Sequence, residues 1–210
     1  MLNLVSGSVL DYVGDVFVNA ANEGCTGGFG VDELVNQSGG LELKEARKKL
    51  GGCPTGQAKS TPAFAHQNTK HIVHAVGPVY RVIAAKQGFD EDDERAGPYM
   101  RSLDPLLRDA YVASLRCSVE CGARSVGVCL LSAGVFRGSR PLADVIEIGL
   151  RSIVHAMATA GGVDEVTLVA YTYDEQLALK EACARVRHEL TEREASCWGD
   201  SEHPWSYLFG

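Results

Sequence analysis

The chain has 210 residues, of which 45% are hydrophobic and 22% are charged, and its formal net charge is −7 at pH 7; this length suits one domain with a full hydrophobic core. The acidic balance disfavours broad binding of nucleic acid, because such binding needs many Lys and Arg contacts to phosphates. No apolar run approaches the roughly 20 residues of a membrane helix and no signal peptide follows Met1, so we expect an intracellular protein, in the cytoplasm, without membrane contacts.

Apolar runs bounded by turn residues alternate with amphipathic segments along the chain. In chain order, the predicted strands are Leu2–Val5, Val16–Val18, His71–Val76, Val126–Leu131 and Val166–Ala170. The predicted helices are Val31–Ser38, Leu41–Leu50, Leu103–Cys121, Leu142–Ala160 and Asp174–Arg193. This alternation predicts an α/β fold with a mainly parallel sheet. Ligands of such folds bind beyond the carboxyl ends of the strands, where loops lead into helices.

Two segments stand outside this alternation. Residues 81–101 contain the acidic run Asp90–Glu94 and are predicted to be an acidic surface insertion, because such charge runs are usually solvated loops. Residues 196–210 contain both tryptophans, Trp198 and Trp205, and are predicted to form an aromatic tail that packs on the domain. We therefore assign residues 1–195 to a single domain.

The seven cysteines are an odd number and lack the spacing of a disulfide framework. Cys117 and Cys121 lie four residues apart in a predicted helix and could share one face. No second pair of ligands accompanies them in the sequence, so buried reduced thiols are favoured over a zinc site. We expect neither a metal nor an organic cofactor.

The loop between the second predicted strand and the first predicted helix reads NAANEGCTGGFGVD, from Asn19 to Asp32. Glycines let backbone N–H groups point at a ligand and leave no Cβ in its way. A helix that begins near Val31 adds free N–H groups and the positive end of its dipole on the same side. The loop therefore favours a phosphate or diphosphate held by amides without a lysine, and the flanking Asn and Asp side chains suit sugar hydroxyls.

Several blocks of the sequence resemble the macrodomains, a family that binds ADP-ribose. The matching blocks are Gly7–Leu10, Val18–Asn22, Gly27–Asp32, Gly51–Ala63, Lys70–Pro78, Leu130–Ile153 and Leu168–Glu175. The subgroup that the chain resembles is the MacroD type, whose members hydrolyse ester-linked mono-ADP-ribose on protein carboxylates and deacetylate O-acetyl-ADP-ribose. The resemblance implies a three-layer α/β/α fold around a central mixed, mainly parallel sheet.

The resemblance places Asn22 and Asp32 at the distal ribose, where the ester is cut. Asn22 would bind a ribose hydroxyl, and Asp32 would orient or deprotonate the attacking water. The alternative for Asp32 is a carboxylate that only stabilises the positive end of the helix.

The resemblance also implies which residues hold the rest of the ligand. Two facing loops would bind the diphosphate and ribose, and Tyr173 would stack on the adenine, with Tyr171 as the alternative. His74 matches a family histidine but lies inside a predicted strand, so we interpret it as a core residue rather than a catalyst. The implied ligand-binding positions are Ser8, Val9, Asn19, Ala20, Gly27, Gly28, Phe29, Gly30, Val31, Ser132, Ala133, Gly134, Val135, Phe136 and Tyr173.

Some positions depart from the family pattern. Ser8 replaces an aspartate that accepts a hydrogen bond from the adenine amino group, which should weaken this contact by roughly 1 kcal/mol or more. Phe29 replaces the third glycine of the loop, and Asn36 stands where MacroD hydrolases often carry a histidine. The second loop is longer than usual and places Arg137 and Arg140 near the mouth, where they could contact phosphate or a protein substrate or belong to a solvated loop.

The expected activity is hydrolysis of ester-linked mono-ADP-ribose from protein Asp and Glu side chains, together with deacetylation of O-acetyl-ADP-ribose. The expected partners are ADP-ribose, its derivatives and mono-ADP-ribosylated proteins. A module that reads ADP-ribose without cleaving it is the alternative. Binding of RNA or poly-ADP-ribose is disfavoured by the acidic charge.

Overall fold

The structure, a computed structural model, describes residues 1–197, without the side chains of residues 84, 160 and 190–197. Six strands form one sheet in the order β1-β6-β5-β2-β4-β3. The strands are β1 Leu2–Ser6, β2 Val16–Ala20, β3 Ala58–Pro62, β4 His71–Ala75, β5 Ser125–Cys129 and β6 Glu165–Ala170. All pairs are parallel except β3 with β4, which is antiparallel. The predicted mixed, mainly parallel sheet is confirmed.

Helices connect the strands and cover the sheet. The helices are α1 Val31–Lys49, α2 Ala84–Gln87, α3 Ala96–Ser102, α4 Asp104–Glu120, α5 Leu142–Ala160 and α6 Tyr173–Cys197, and short 3-10 turns span Val9–Asp11 and Val135–Arg137. α5 packs between α4 and α6, whereas α1 packs on β2 and β3. The result is the three-layer α/β/α arrangement that the sequence predicts.

Strand β2 lies in the interior of the domain. Val16, Phe17 and Val18 are fully buried, as expected for a parallel strand that is covered on both faces. Asn19 is also fully buried in this strand, which places a polar side chain inside the domain. Buried polar side chains need hydrogen-bond partners, and Nδ2 of Asn19 finds them in Asp32 of α1 and His74 of β4.

α1 joins the two helices that the sequence predicts for this region. Gly40 has φ 72° and ψ −161°, so the helix is sharply kinked where the two predicted segments meet. Asp32 and Glu33 lie in the first turn and basic residues in the last turn, which complements the helix dipole at both ends.

Three elements were not predicted. β3 lacks apolar alternation and ends in Pro62, as edge strands often do, while α2 and α3 lie in the acidic insertion. The Asp90–Glu94 run lies at the surface, but α3 buries Ala96 and Met100, so residues 81–101 are not a solvated loop throughout. The predicted packing of the aromatic tail lies outside the described residues.

Candidate functional site

A cleft of about 500 Å³ lies at one edge of the sheet. Its walls come from the residues at or just beyond the carboxyl ends of four neighbouring strands, β1, β6, β5 and β2. The predicted residues that line it are Ser8, Val9, Ala20, Asn22, Gly28, Phe29, Gly30, Val31, Asp32, Ser132, Gly134, Val135 and Phe136. The two predicted loops therefore face each other across one cavity.

The glycine loop after β2 holds Asn22 in place. Nδ2 of Asn22 donates to the backbone carbonyl of Gly27 at 2.7 Å, and the N–H of Cys25 donates to the carbonyl of Asn22 at 2.9 Å. Gly30 has φ 65° and precedes α1 without a side-chain cap. The first N–H groups of α1 thus begin at the cleft with no acceptor from a capping side chain.

Two acceptor oxygens at the cleft have no hydrogen-bond partner among the described residues. They are Oδ1 of Asn22 and Oδ2 of Asp32, and both atoms are buried. Gly28 lies beside both side chains, since a Cβ on it would stand 3.1 Å from Asn22 Nδ2 and 4.0 Å from Asp32 Oδ2. Buried acceptors of this kind suit hydroxyl or water donors.

Below the cleft, Asp32 belongs to a buried polar network. Its Oδ1 accepts from Asn19 Nδ2 at 2.7 Å and from Arg47 Nη2 at 2.6 Å. Nη1 of Arg47 donates to Asn36 Oδ1 at 2.6 Å. The sequence predicts neither this ion pair nor the burial of Arg47. Asp32 and Asn36 share one face of the first half of α1, but the kink at Gly40 interrupts the helical period before Arg47, so the sequence carried no signal for this pair.

The network continues through His74 in the neighbouring strand. His74 lies opposite Asn19 in the β2–β4 register, with Nδ1 at 3.2 Å from Asn19 Nδ2 and Nε2 at 3.0 Å from Thr61 Oγ1. Burial, and then the charge of Arg47, hold the pKa of His74 well below its usual value. A neutral ring accepts from Asn19 and donates to Thr61, which confirms the interpretation of His74 as a core residue with satisfied hydrogen bonds.

The second loop follows β5 and forms the opposite wall. Ser132 has φ 56°, and its Oγ donates to the carbonyl of Pro78 at 2.8 Å. Arg140 is buried and pairs with Asp104 at 2.9 Å and with Asp144 at 2.5 Å. The prediction that Arg140 contacts ligand or solvent is therefore wrong, because both of its terminal nitrogens hold the loop to the domain.

Arg137 likewise serves the loop, since its Nη1 donates to the carbonyl of Arg140 at 2.6 Å. Neither arginine lines the cleft. The longer loop adds internal support rather than a cationic mouth.

The remaining wall of the cleft lies where strands β1 and β6 end. Ser8 Oγ accepts from the N–H of Leu10 at 3.3 Å and begins a 3-10 turn. Glu175 Oε2 accepts from the N–H groups of Tyr171 and Thr172 at 2.8 and 3.0 Å, and Thr172 Oγ1 accepts from the N–H of Glu175 at 3.2 Å. This capping box explains why α6 starts here, next to the cleft.

Comparison with known proteins fits this architecture. The Macro domain family model matches residues 18–148. The chain belongs to the macrodomain family. An O-acetyl-ADP-ribose deacetylase of Escherichia coli (strain K12) is 33% identical over 84% of this chain and 90% of its own. A macro domain-containing protein of Cupriavidus necator is 33% identical over 81% of this chain and 90% of its own.

Solved structures agree with the sequence relatives. A Trypanosoma brucei macrodomain in complex with ADP-ribose superposes with a TM-score of 0.70 at 27% identity, over 87% of this chain and 68% of that chain. An Oceanobacillus iheyensis macrodomain with ADP has a TM-score of 0.74 at 23% identity, over 90% of this chain and 92% of that chain, and it supports the fold.

Four predicted ligand positions of this macrodomain do not line the cleft: Asn19, Gly27, Ala133 and Tyr173. Asn19 turns its amide to Asp32, and Gly27 packs on Asn36, whose Nδ2 would stand 2.0 Å from a Cβ at Gly27. Ala133 is buried. Asn19, Gly27 and Ala133 therefore lie behind the loops and do not border the cavity.

The choice of Tyr173 needs correction for a separate reason. β6 ends at Ala170 and Tyr173 is the first residue of α6, so Tyr173 does not lie at the end of the strand, and it is not among the residues that line the cleft. Tyr171, the alternative, lines the cleft and is 70% exposed. The lining residues of this macrodomain that the sequence did not select as ligand positions are Gly7, Leu34, Cys129, Leu130, Val169 and Glu175. Most are apolar strand-end positions, which sequence reasoning assigns to the core.

The buried thiols of Cys25 and Cys53 meet beneath the glycine loop. The hydrogen bond between them lowers the pKa of Cys25, while that bond and burial raise the pKa of Cys53.

Among the residues that the structure describes, no cluster of three His, Cys, Asp or Glu side chains could hold a metal. Within the same range, no helix is long and apolar enough to cross a membrane.

Proposed function

We propose that this macrodomain binds ADP-ribose in the cleft and hydrolyses esters of its distal ribose. The substrates are O-acetyl-ADP-ribose and mono-ADP-ribose linked to Asp or Glu side chains. The name of the 33% identical relative, O-acetyl-ADP-ribose deacetylase, supports the first substrate. The second shares the same ester chemistry, with a protein carboxylate in place of acetate.

The observation that carries the proposal is the pair of unpartnered acceptor oxygens, Asn22 Oδ1 and Asp32 Oδ2. Asn22 accepts from a distal ribose hydroxyl, which fixes the sugar. Asp32 accepts from the water that attacks the ester carbonyl. Water adds to the carbonyl carbon, the bond between that carbon and the ribose oxygen breaks, and a proton of the water passes to the ribose oxygen. The products are a carboxylic acid and a free ribose hydroxyl. Holding the reactants in line lowers the barrier without a metal.

Asp32 acts by orienting the water. Its Oδ1 already accepts from Asn19 and Arg47, so Oδ2 is the oxygen left to accept a hydrogen bond from a water in the cleft.

The diphosphate lies between the two loops. The start of α1 at Val31 and the 3-10 turn after Gly134 both lack a side-chain cap, so their first N–H groups can bind anionic oxygens. No Lys or Arg is among the described residues that line the cleft. Binding therefore depends on amides and the helix dipole rather than on cationic side chains.

A reader module that binds ADP-ribose without cleaving it is the second candidate. Phe29 favours it, because this ring is 88% exposed at the cleft where the family pattern has a glycine. A bulky ring close to the distal ribose can admit the free nucleotide while excluding a protein-linked one.

Ester hydrolysis by the wild-type protein separates the two candidates, and the Asp32→Asn variant tests the role of Asp32 in it. We expect the variant to bind ADP-ribose in calorimetry within about threefold of wild type and to lose about 100-fold or more in the rate of O-acetyl-ADP-ribose and glutamate-linked ADP-ribose hydrolysis. Asp109→Asn, at an exposed position on α4, is the matched control and should hydrolyse normally. Wild-type protein that binds ADP-ribose but cleaves neither ester would establish the reader instead.

A further inference from the structure

Arg47 lies in the second half of α1 and has an exposed fraction of 0%. We propose that Arg47 is a positioning residue for the hydrolysis, which fixes the orientation of the Asp32 side chain and keeps its Oδ2 available to the substrate. This inference rests on the proposed function, because Asp32 is the residue through which Arg47 acts.

The guanidinium of Arg47 joins two polar residues from the first half of the same helix. Nη2 donates to Asp32 Oδ1 and Nη1 donates to Asn36 Oδ1, each at 2.6 Å. Asn36 in turn donates from Nδ2 to the backbone carbonyl of Thr26 at 3.1 Å. Arg47 thereby connects the carboxylate both to the helix and to the glycine loop.

A straight helix would keep Arg47 and Asp32 far apart. At about 1.5 Å per residue, their separation of 15 positions corresponds to about 22 Å along the axis, which exceeds the reach of an arginine side chain. The kink at Gly40 turns the second half of α1 so that the two side chains meet. The bend of α1 and the ion pair are therefore parts of one arrangement.

The ion pair distinguishes the two oxygens of Asp32. Oδ1 accepts from Arg47 and from Asn19, whereas Oδ2 is buried without a partner among the described residues. A carboxylate with two donors on one oxygen cannot rotate without breaking both bonds. Its other oxygen is therefore fixed beside Gly28, where a hydroxyl or water can donate to it.

Stability alone does not account for a charged pair at this place. Burying two charges is unfavourable, and apolar residues of similar volume often replace a buried pair without loss of stability. The pair lies instead directly below the cleft, which Asp32 lines. Arg47 fixes the orientation of Asp32 through a hydrogen bond that an apolar side chain of its size cannot make.

A kinetic double-mutant cycle tests the proposal. Arg47→Met should lower kcat for O-acetyl-ADP-ribose by about tenfold or more while ADP-ribose affinity stays within about threefold, and Arg47→Lys should restore part of kcat. In an Asp32→Asn background, Arg47→Met should change the single-turnover rate by less than about twofold. Equal losses in both backgrounds, or unchanged kcat in the first, would overturn the proposal. Arg116→Met, at an exposed position of α4, controls for the loss of an arginine.

Thermal melting of the wild type, Asp32→Asn, Arg47→Met and the double variant tests the same coupling without an activity assay, also for variants that fold poorly. Asp32→Asn combined with Arg47→Met leaves no unpaired buried charge, so it should melt above Arg47→Met alone. Additive losses of melting temperature would mean that Arg47 does not act through Asp32, and would overturn the proposal. If the wild-type protein cleaves neither ester, the proposed function fails, while this melting cycle still reports whether the two residues are coupled.

Discussion

Tyr171 and Tyr173 show how much one or two positions matter at the end of a strand. Both rings are more than two-thirds exposed, at 70% and 71%, but Tyr171 alone of the two lines the cleft. An exposed ring beside a nucleotide site can stack on the base, and Tyr171 lies at the β1–β6 end with Ser8.

We therefore expect Tyr171→Ala to weaken ADP-ribose binding by about tenfold, because stacking of a base on an aromatic ring contributes about 1–3 kcal/mol. Tyr173→Ala is the matched control, since it removes an equally exposed ring outside the cleft. Isothermal titration calorimetry measures both. A larger loss for Tyr173→Ala than for Tyr171→Ala would contradict the placement of the adenine.

The stability of the folded protein should depend on pH through the buried side chain of His74. Its pKa in the folded protein lies well below the usual value because of burial and the charge of Arg47, whereas the unfolded chain titrates near 6.5. Below about pH 6.5 the unfolded state binds a proton that the folded state does not. Stability must therefore fall as the pH decreases through this range.

The free energy of unfolding should drop by about 1 kcal/mol more for wild type than for His74→Gln between about pH 7 and pH 5.5. Urea titrations at the two pH values measure it. His66, whose pKa is also lowered by burial, is present in both proteins and cancels. Parallel pH dependence of the two proteins would show that His74 binds its proton equally well in the folded and unfolded states, and would contradict this account.

Among single residues, the sequence predicted those whose chemistry is local. Asn22, Gly28 and Asp32 follow from a glycine loop at a strand end, and the structure brings them to one cleft. Arg47 was not predicted, because a charged residue in the last turn of a helix is ordinarily solvated. Its burial depends on the direction that α1 takes after Gly40, which is a tertiary property.

At the scale of elements, the kink in α1 is the feature that the site depends on. Gly40 has φ 72°, and a Cβ there would stand 3.7 Å from Ala65 Cβ, so alanine fits sterically but strains the backbone. Gly51 has φ 66° with nothing within 4 Å. Alanine would therefore be strained at both positions and more so at Gly40, because its ψ of −161° lies in a region that essentially only glycine adopts. Only Gly40 sets the path from Asp32 to Arg47.

Gly51→Ala should lower the free energy of unfolding by about 1 kcal/mol, and Gly40→Ala by more, up to about 3 kcal/mol. Only Gly40→Ala should also reduce kcat, because a change of the bend separates Arg47 from Asp32. Denaturant titration and ester hydrolysis of both variants check this. A similar reduction of kcat in the two variants would contradict this, because it would show that hydrolysis does not depend specifically on the kink at Gly40.

The long periodic elements were predicted well, and the short ones were not. α5 has the predicted bounds Leu142–Ala160, and the five predicted strands are all present within a few residues. β3 was missed because its residues, AKSTP, carry little apolar signal, and its place comes from pairing with β4. α2 and α3 are too short for periodicity to identify.

At the scale of the whole molecule, the acidic charge and the expected anionic ligand are compatible. The net charge is −7, and no Lys or Arg is among the described residues that line the cleft. The parallel strands end at one edge, so the glycine loop, the second loop and the start of α1 converge there. We therefore expect the dipoles of N–H groups, rather than cations, to face the diphosphate.

Affinity for ADP-ribose should accordingly change by less than about threefold between about 0.05 and 0.5 M salt, because short-range amide contacts are screened much less than distant charges. Calorimetry at several ionic strengths measures this. A steep decrease with salt would indicate that cationic side chains hold the ligand.

The account as a whole depends on where the distal ribose lies. A crystal structure of the protein with ADP-ribose tests this most directly. We expect ribose hydroxyls, or a water next to the ribose, within hydrogen-bond distance of Asn22 Oδ1 and Asp32 Oδ2, with Asp32 still paired to Arg47. A nucleotide bound outside the cleft, or with its distal ribose away from both oxygens, would contradict it.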